Sequence, residues 1–92
     1  MNSPSSDLQL SPKIEKQMRK RGWTKEDIQK TVDNPHQTAR AIDRTSGDEP
    51  ATAYFDENGN YVVVNDHTGN VVQVSDKIDP DWQRDSSFVY DG

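Results

Sequence analysis

Two short turns constrain the second half of the chain. DENGN at 56–60 and DHTGN at 66–70 separate three β-favouring runs: ATAYF at 51–55, YVVVN at 61–65 and VVQVS at 71–75. Valine-rich and aromatic segments of this length, bounded by Asn, Asp and Gly, read as strands. An Asn-Gly step such as Asn58-Gly59 is a strong hairpin signal, because both turn positions tolerate positive φ. Successive hairpins with loops this short predict an antiparallel meander. TARAID at 38–43 adds a weaker strand before it.

The first third carries a different period. Ser11 followed by Pro12 is a helix start, a capping oxygen and then a ring already set at helical φ. The helix extends to about Arg21, and Gly22 supplies a left-handed stop. Ile14 and Met18 make a narrow apolar stripe. Thr24 caps a second helix with Asp27 as its capping-box partner, and Trp23 and Ile28 form a hydrophobic staple. This helix ends near Asn34, before Pro35. The expected fold class is α+β, two short N-terminal helices packed on one face of an antiparallel sheet. Residues 1–10 read as a disordered lead-in and residues 11–92 as a single domain. The tail KIDPDWQRDSSFVYDG has few apolar groups, although Trp82 needs a surface to pack on.

Only 29% of the 92 residues are hydrophobic, and there is no cysteine. The core must be small, and neither a disulfide framework nor a zinc–thiolate site is available. No apolar run reaches the length of a spanning helix, and the first residues lack the apolar centre of a signal peptide, so no membrane association is expected. The formal net charge of −5 argues against a protein that binds nucleic acid over its whole surface. The charge is polarised, however. Six of the eleven Lys and Arg fall at Lys13, Lys16, Arg19, Lys20, Arg21 and Lys25, whereas eleven of the sixteen acids lie from Asp43 onward. Such a field either steers a polyanion to the first helix or only solvates it.

Familiar catalytic patterns are missing. His36 and His67 each sit in a turn-like stretch without a second histidine at ligand spacing, so no metal site is expected. DENGN lacks the terminal Glu of a calcium loop. There is no phosphate-cradling glycine loop and no nucleophile elbow. A helix-turn-helix reading would make KEDIQKTVD the recognition helix, where Glu26, Asp27 and Asp33 oppose Lys25 and Lys30, a poor match to phosphate. Lys13 and Arg21 are left. Eight residues apart, they differ by about 80° in azimuth and roughly 12 Å along a helix axis. Their long side chains either converge on one phosphodiester or remain two solvated cations.

Four segments in order, KIEKQMRKRGWTKEDI, PATAYF, YVVVNDHTGNVVQVS and DKIDPDW, resemble the colicin E5 type ribonuclease domains of bacterial toxins. The resemblance covers about residues 12 to 87. It implies a barnase-like or RelE-like fold and a metal-independent and cofactor-independent endoribonuclease that does not rely on histidine. The implied substrate is the anticodon loop of the tRNAs for Tyr, His, Asn and Asp. The implied partner is a cognate immunity protein, and the implied place of action is the cytoplasm of a target cell after delivery within a larger toxin.

Carried onto this sequence, the resemblance makes Lys13 and Arg21 the catalytic pair. It puts Val74 at the base pocket and Trp82 against the bound nucleotide. The family's third catalytic lysine has no direct counterpart; Arg40, or else Arg44, takes its place. Lys16 and Lys20 are expected to add substrate binding. The implied chemistry is attack of a ribose 2′-OH on the adjacent phosphorus, giving a 2′,3′-cyclic phosphate and a 5′-OH. Arg21 would sit on the non-bridging oxygens, and Lys13 would take the 2′ proton or share the charge work. The alternative is a catalytically impaired RNA- or protein-binding module on the same scaffold.

Overall fold

The computed structural model describes residues 8–44, 47–79, 81 and 88–90. Helix α1 spans Pro12–Arg21 and α2 spans Lys25–Asp33. Five strands follow: β1 Gln37–Asp43, β2 Glu49–Phe55, β3 Tyr61–Asn65, β4 Val71–Val74 and β5 Val89–Tyr90. They form one antiparallel sheet in the order β4-β3-β2-β1-β5. The expected α+β architecture and meander are both present.

The local signals act as their chemistry dictates. Ser11 Oγ accepts from the Ile14 amide, and Pro12 opens α1. Gly22 closes the helix at φ +81°, and the Trp23 amide reaches back to the Met18 carbonyl at 2.8 Å. This is a Schellman closure, six residues back to one. A Cβ at position 22 would also meet the Ile78 side chain at 3.4 Å. Thr24 and Asp27 form a complete capping box. Only three residues therefore separate the two helices, at an angle held by buried Trp23.

Both faces of the sheet are buried. One carries Val62, Val64, Val71 and Val74, covered by Ile14, Met18, Trp23 and Ile28, with Leu8, Leu10, Val32 and Tyr54 at the margin. The other carries Ala39, Ala41, Ala51, Ala53, Phe55, Tyr61 and Val63 beneath Phe88. Phe55, Tyr61 and Phe88 meet ring to ring at 5.1 to 6.1 Å. Helices on one face alone would leave those alanines and aromatics wet. The C-terminal segment returns instead as β5 against β1, and it brings Phe88 with it. A two-residue strand in a polar tail has too short a pattern to stand out in the sequence.

Residues 8–10, in the stretch read as a lead-in, belong to the folded unit. Gln9 pairs in parallel with Asn70 through Gln9 N to Gly69 O and Val71 N to Gln9 O, at 3.0 and 2.9 Å. The pairing covers the start of β4, the edge strand of the sheet, and α1 packs along the rest of it. An exposed strand edge would otherwise invite pairing with other chains.

Candidate active site

The site is assembled where α1 lies along β4. A register irregularity between Val63 and Val64 decides its shape. Strict alternation would turn Val71 and Val74, three residues apart, to opposite faces. The irregularity lets both point into the helix-facing core, as a bulge does, and both are almost fully buried. Beyond it, the Ser75 amide donates to the Tyr61 carbonyl at 2.9 Å. The Tyr61 amide donates to Ser75 Oγ at 2.9 Å; because the Ser75 N–H and the Val74 C=O belong to one trans peptide and point opposite ways, the Val74 carbonyl faces the outer edge.

That carbonyl receives Arg21. Its Nη1 donates to the Val74 oxygen at 2.8 Å and to Gln17 Oε1 at 3.2 Å. The Arg21 carbonyl in turn accepts the Lys77 amide at 3.0 Å. Two residues on, Trp23 Nε1 donates to the Ser75 carbonyl at 2.6 Å. Lys77 Nζ lies 4.1 Å from the Trp23 ring centroid and 3.2 Å from Asp27 Oδ2. The exit of β4 is fastened, residue by residue, to the α1–α2 junction. Burial pushes the Asp27 carboxyl up. The neighbouring Lys77 ammonium and the Thr24 cap outweigh it, so the group sits below its ordinary value.

Lys13, Gln17 and Arg21 occupy one row of α1 at i, i+4 and i+8, with Gln17 bridging to Arg21. The row flanks the Ile14–Met18 stripe that packs on the sheet. Lys16 and Lys20 extend the basic face on the solvent side and are exposed, as is Lys13. Lys13 also lines a cleft of about 470 Å³ with Gln9, Asn70, Val72 and Asp43. Asp43 was not singled out by sequence reasoning. It is 2% exposed and accepts from Asn65 Nδ2 at 2.9 Å. The Asn65 amide oxygen caps the following turn through the His67 and Thr68 amides. An aspartate at a strand end looks like any solvated acid in sequence; only the register that puts it beside Asn65 marks it.

The remaining candidates lie elsewhere or play other parts. The Val74 side chain is fully buried in the core, and its carbonyl is the group at the site. Arg40 is exposed on β1, opposite Thr52 of β2 and Val89 of β5, three strands from β4. Arg44 is exposed directly after Asp43, at the end of β1 that reaches the Lys13 cleft. Trp82 lies outside the described residues. His36 and His67 are exposed. His36 borders a second cleft, about 530 Å³, whose lining alternates Lys30 and Lys77 with Asp27, Asp56 and Glu57. Its mixed charge suits a polyanion poorly.

Comparison with known proteins decides the family. The model of the colicin E5 ribonuclease domain matches residues 10–87. The chain belongs to the colicin E5 ribonuclease domain family. It is 45% identical over 93 residues to Colicin-E5 of Escherichia coli, covering 90% of this chain and 51% of that protein. It is 42% identical over 89 residues to the tRNA nuclease CdiA of Burkholderia pseudomallei, covering 88% of this chain and 7% of that protein. The chain thus spans about half the length of the first relative and a small fraction of the second. Within this ribonuclease family, the α1–β4 seam is the one place in the described structure where two catalytic candidates share a row. Among the described residues no helix is long and apolar enough to cross a membrane.

Proposed function

We propose that the chain is a metal-independent endoribonuclease that cuts tRNA in the anticodon loop, in the tRNAs for Tyr, His, Asn and Asp, and acts as a bacterial toxin domain. The observation that carries this reading is the Lys13–Gln17–Arg21 row on α1, in a chain that matches a ribonuclease domain from residue 10 to residue 87. The relative named tRNA nuclease CdiA supports the choice of tRNA.

The chemistry follows from what a guanidinium and an ammonium can do. The ribose 2′-oxygen forms a bond to phosphorus as the P–O5′ bond breaks. The 2′ proton is lost, the leaving 5′-oxygen gains one, and a 2′,3′-cyclic phosphate remains. The barrier lies in reaching in-line geometry and in stabilising the added charge on the phosphorane. Arg21, its plane set by the Val74 carbonyl, holds the non-bridging oxygens. Lys13 takes the 2′ proton or shares the charge. Of the two candidate third cations, Arg44 is better placed, because it follows a residue that shares the Lys13 cleft. Unpaired anticodon bases are read by stacking on Trp82 and by edge contacts. A cognate immunity protein covers the site in the producing cell, and the domain acts in the cytoplasm of the target cell after delivery.

Incubation with total tRNA at pH 7 in EDTA tests the reading. Discrete anticodon-loop halves of the four tRNAs, ending in cyclic phosphate, are expected. Intact tRNA would leave a binding module on the same scaffold.

A further inference from the structure

We infer that Ile78 is a substrate-contacting residue, whose side chain packs on the face of an unpaired nucleobase next to the cleaved pair. The inference rests on the ribonuclease reading above.

Three observations carry it. The first is exposure at the site. Among the described residues the exposed large apolar side chains are Ile42, Ile78 and Val89, and Ile78 is the most exposed, at 68%. Ile42 and Val89 lie on β1 and β5, at the opposite side of the sheet from β4. Ile78 stands at the α1–β4 seam, directly after Lys77, whose amide donates to the Arg21 carbonyl. Its Cγ1 lies 3.4 Å from where a Cβ would stand on Gly22, so it covers the residue that follows Arg21.

The second is rigidity. Lys77 is fixed by that amide, by its ammonium on Asp27 and by the Trp23 ring. Asp76 Oδ1 accepts from the Ile78 and Asp79 amides at 2.9 and 3.2 Å. An apolar side chain held in water on a braced backbone loses little further freedom when a partner covers it.

The third is charge. Asp76, Asp79 and Asp81 flank Ile78 in its loop, whereas α1 presents Lys13, Lys16, Lys20 and Arg21. Phosphates are drawn to the helix and repelled from the loop. A strand crossing the seam therefore turns its bases toward the loop, where Ile78 is the apolar surface. Ile78 lies beyond Arg21 at the outer end of the Lys13–Arg21 row, so the base it meets belongs to the nucleotide outside the cleaved pair. Every base has a flat face, so the contact needs a base and tolerates its identity.

Such packing is equal in the ground and transition states, so its loss weakens saturation and spares the saturating rate. Single-turnover cleavage by wild type, Ile78→Ala and Ile78→Leu is followed over a range of protein concentrations, alongside thermal melting. The RNA is an anticodon stem-loop, intact or made abasic at the nucleotide 5′ or 3′ of the cleaved pair.

On intact RNA, Ile78→Ala is expected to raise the half-saturating protein concentration about 10-fold, and Ile78→Leu to restore most of it. On RNA abasic at one of the two positions, Ile78→Ala should cost nothing more, since the partner is already gone. Equal losses on all three RNAs would show that Ile78 only covers Gly22, and the inference is then wrong. It is equally wrong if Ile78→Ala saturates on intact RNA as wild type does. A wild-type protein that leaves intact RNA uncut overturns the ribonuclease reading itself, an outcome seen before any variant is compared.

Discussion

The Arg21 guanidinium donates to the Val74 carbonyl at 2.8 Å, across 53 residues of sequence. The contact joins the last residue of α1 to the last residue of the edge strand. It makes one cation of the basic helix a fixed part of the sheet margin, while Lys16, Arg19 and Lys20 remain exposed. A guanidinium can brace itself through one nitrogen and present its remaining in-plane N–H donors to a phosphate, which an ammonium cannot do.

Replacing Arg21 should therefore cost function more than fold. Arg21→Ala is expected to lower tRNA cleavage by at least about 10²-fold, from loss of charge stabilisation at the phosphorane. The stability loss should be about 1 kcal/mol, the net worth of a partly buried hydrogen bond. Arg21→Lys should recover little, since one ammonium cannot both reach Val74 and spread over two phosphate oxygens. Cleavage kinetics and urea denaturation on the same samples check both halves, and near-wild-type cleavage by Arg21→Ala would sink the assignment.

Trp23 is the opposite case. Its indole N–H satisfies the Ser75 carbonyl at 2.6 Å within the core, and its ring carries Lys77. Trp23→Phe keeps most of the apolar volume and leaves that carbonyl unsatisfied, at a cost of about 1–3 kcal/mol. A lower urea midpoint with an unchanged slope is the expected signature.

The Asp27 carboxyl gives the acid limb of stability a specific contributor. Its folded-state value is held below the ordinary 3.8 by Lys77 and Thr24, against the opposing effect of burial. Its contribution is complete above that ordinary value and is lost as pH falls through the lower, folded one. Asp27→Asn keeps an acceptor for the Thr24 amide but removes the charge. The variant should show a shallower fall in stability below about pH 4. The difference should shrink in high salt, since the Asp27 side chain is 41% exposed.

Asn65 predicts the reverse dependence. Its amide donates to buried Asp43, with Glu49 Oε1 at 3.4 Å. Asn65→Asp would put a second carboxylate against the first in a nearly water-free site, forcing the value of one of them up. That variant should be strongly destabilised at pH 7 and should recover as the pH is lowered, because the folded state then holds the extra proton more tightly than the unfolded chain. Chemical denaturation at pH 7 and pH 5 is sufficient. Equal destabilisation at both would show that Asn65 is needed only for the turn at His67 and Thr68.

Much of this architecture is legible in adjacent residues. Ser11-Pro12, Gly22, the Thr24–Asp27 box and the Asn58-Gly59 step each solve a problem that arises within a few residues: an orphan amide, a positive φ, a tight reversal. Such solutions need no knowledge of the rest of the chain. The α1 row is legible for the same reason, since helix geometry alone places Lys13, Gln17 and Arg21 side by side. The basic cluster drew attention to this helix on charge alone and passed over Gln17, the neutral residue that accepts from Arg21 Nη1.

What the sequence determined by itself is the two helices, the strands β1 to β4, their order and the helix face that carries the candidate site. Tertiary structure decided the rest. The irregularity at Val63/Val64 turns the Val74 side chain inward and its carbonyl outward to Arg21. Closure of the sheet makes Asp43 a buried partner of Asn65, and β5 brings Phe88 over a face that the helices never cover. These outcomes depend on register and burial, which are set by residues that are distant in the chain and become neighbours only when the sheet closes. No local pattern encodes them, because a one-residue change of register would send the same side chains to the opposite face.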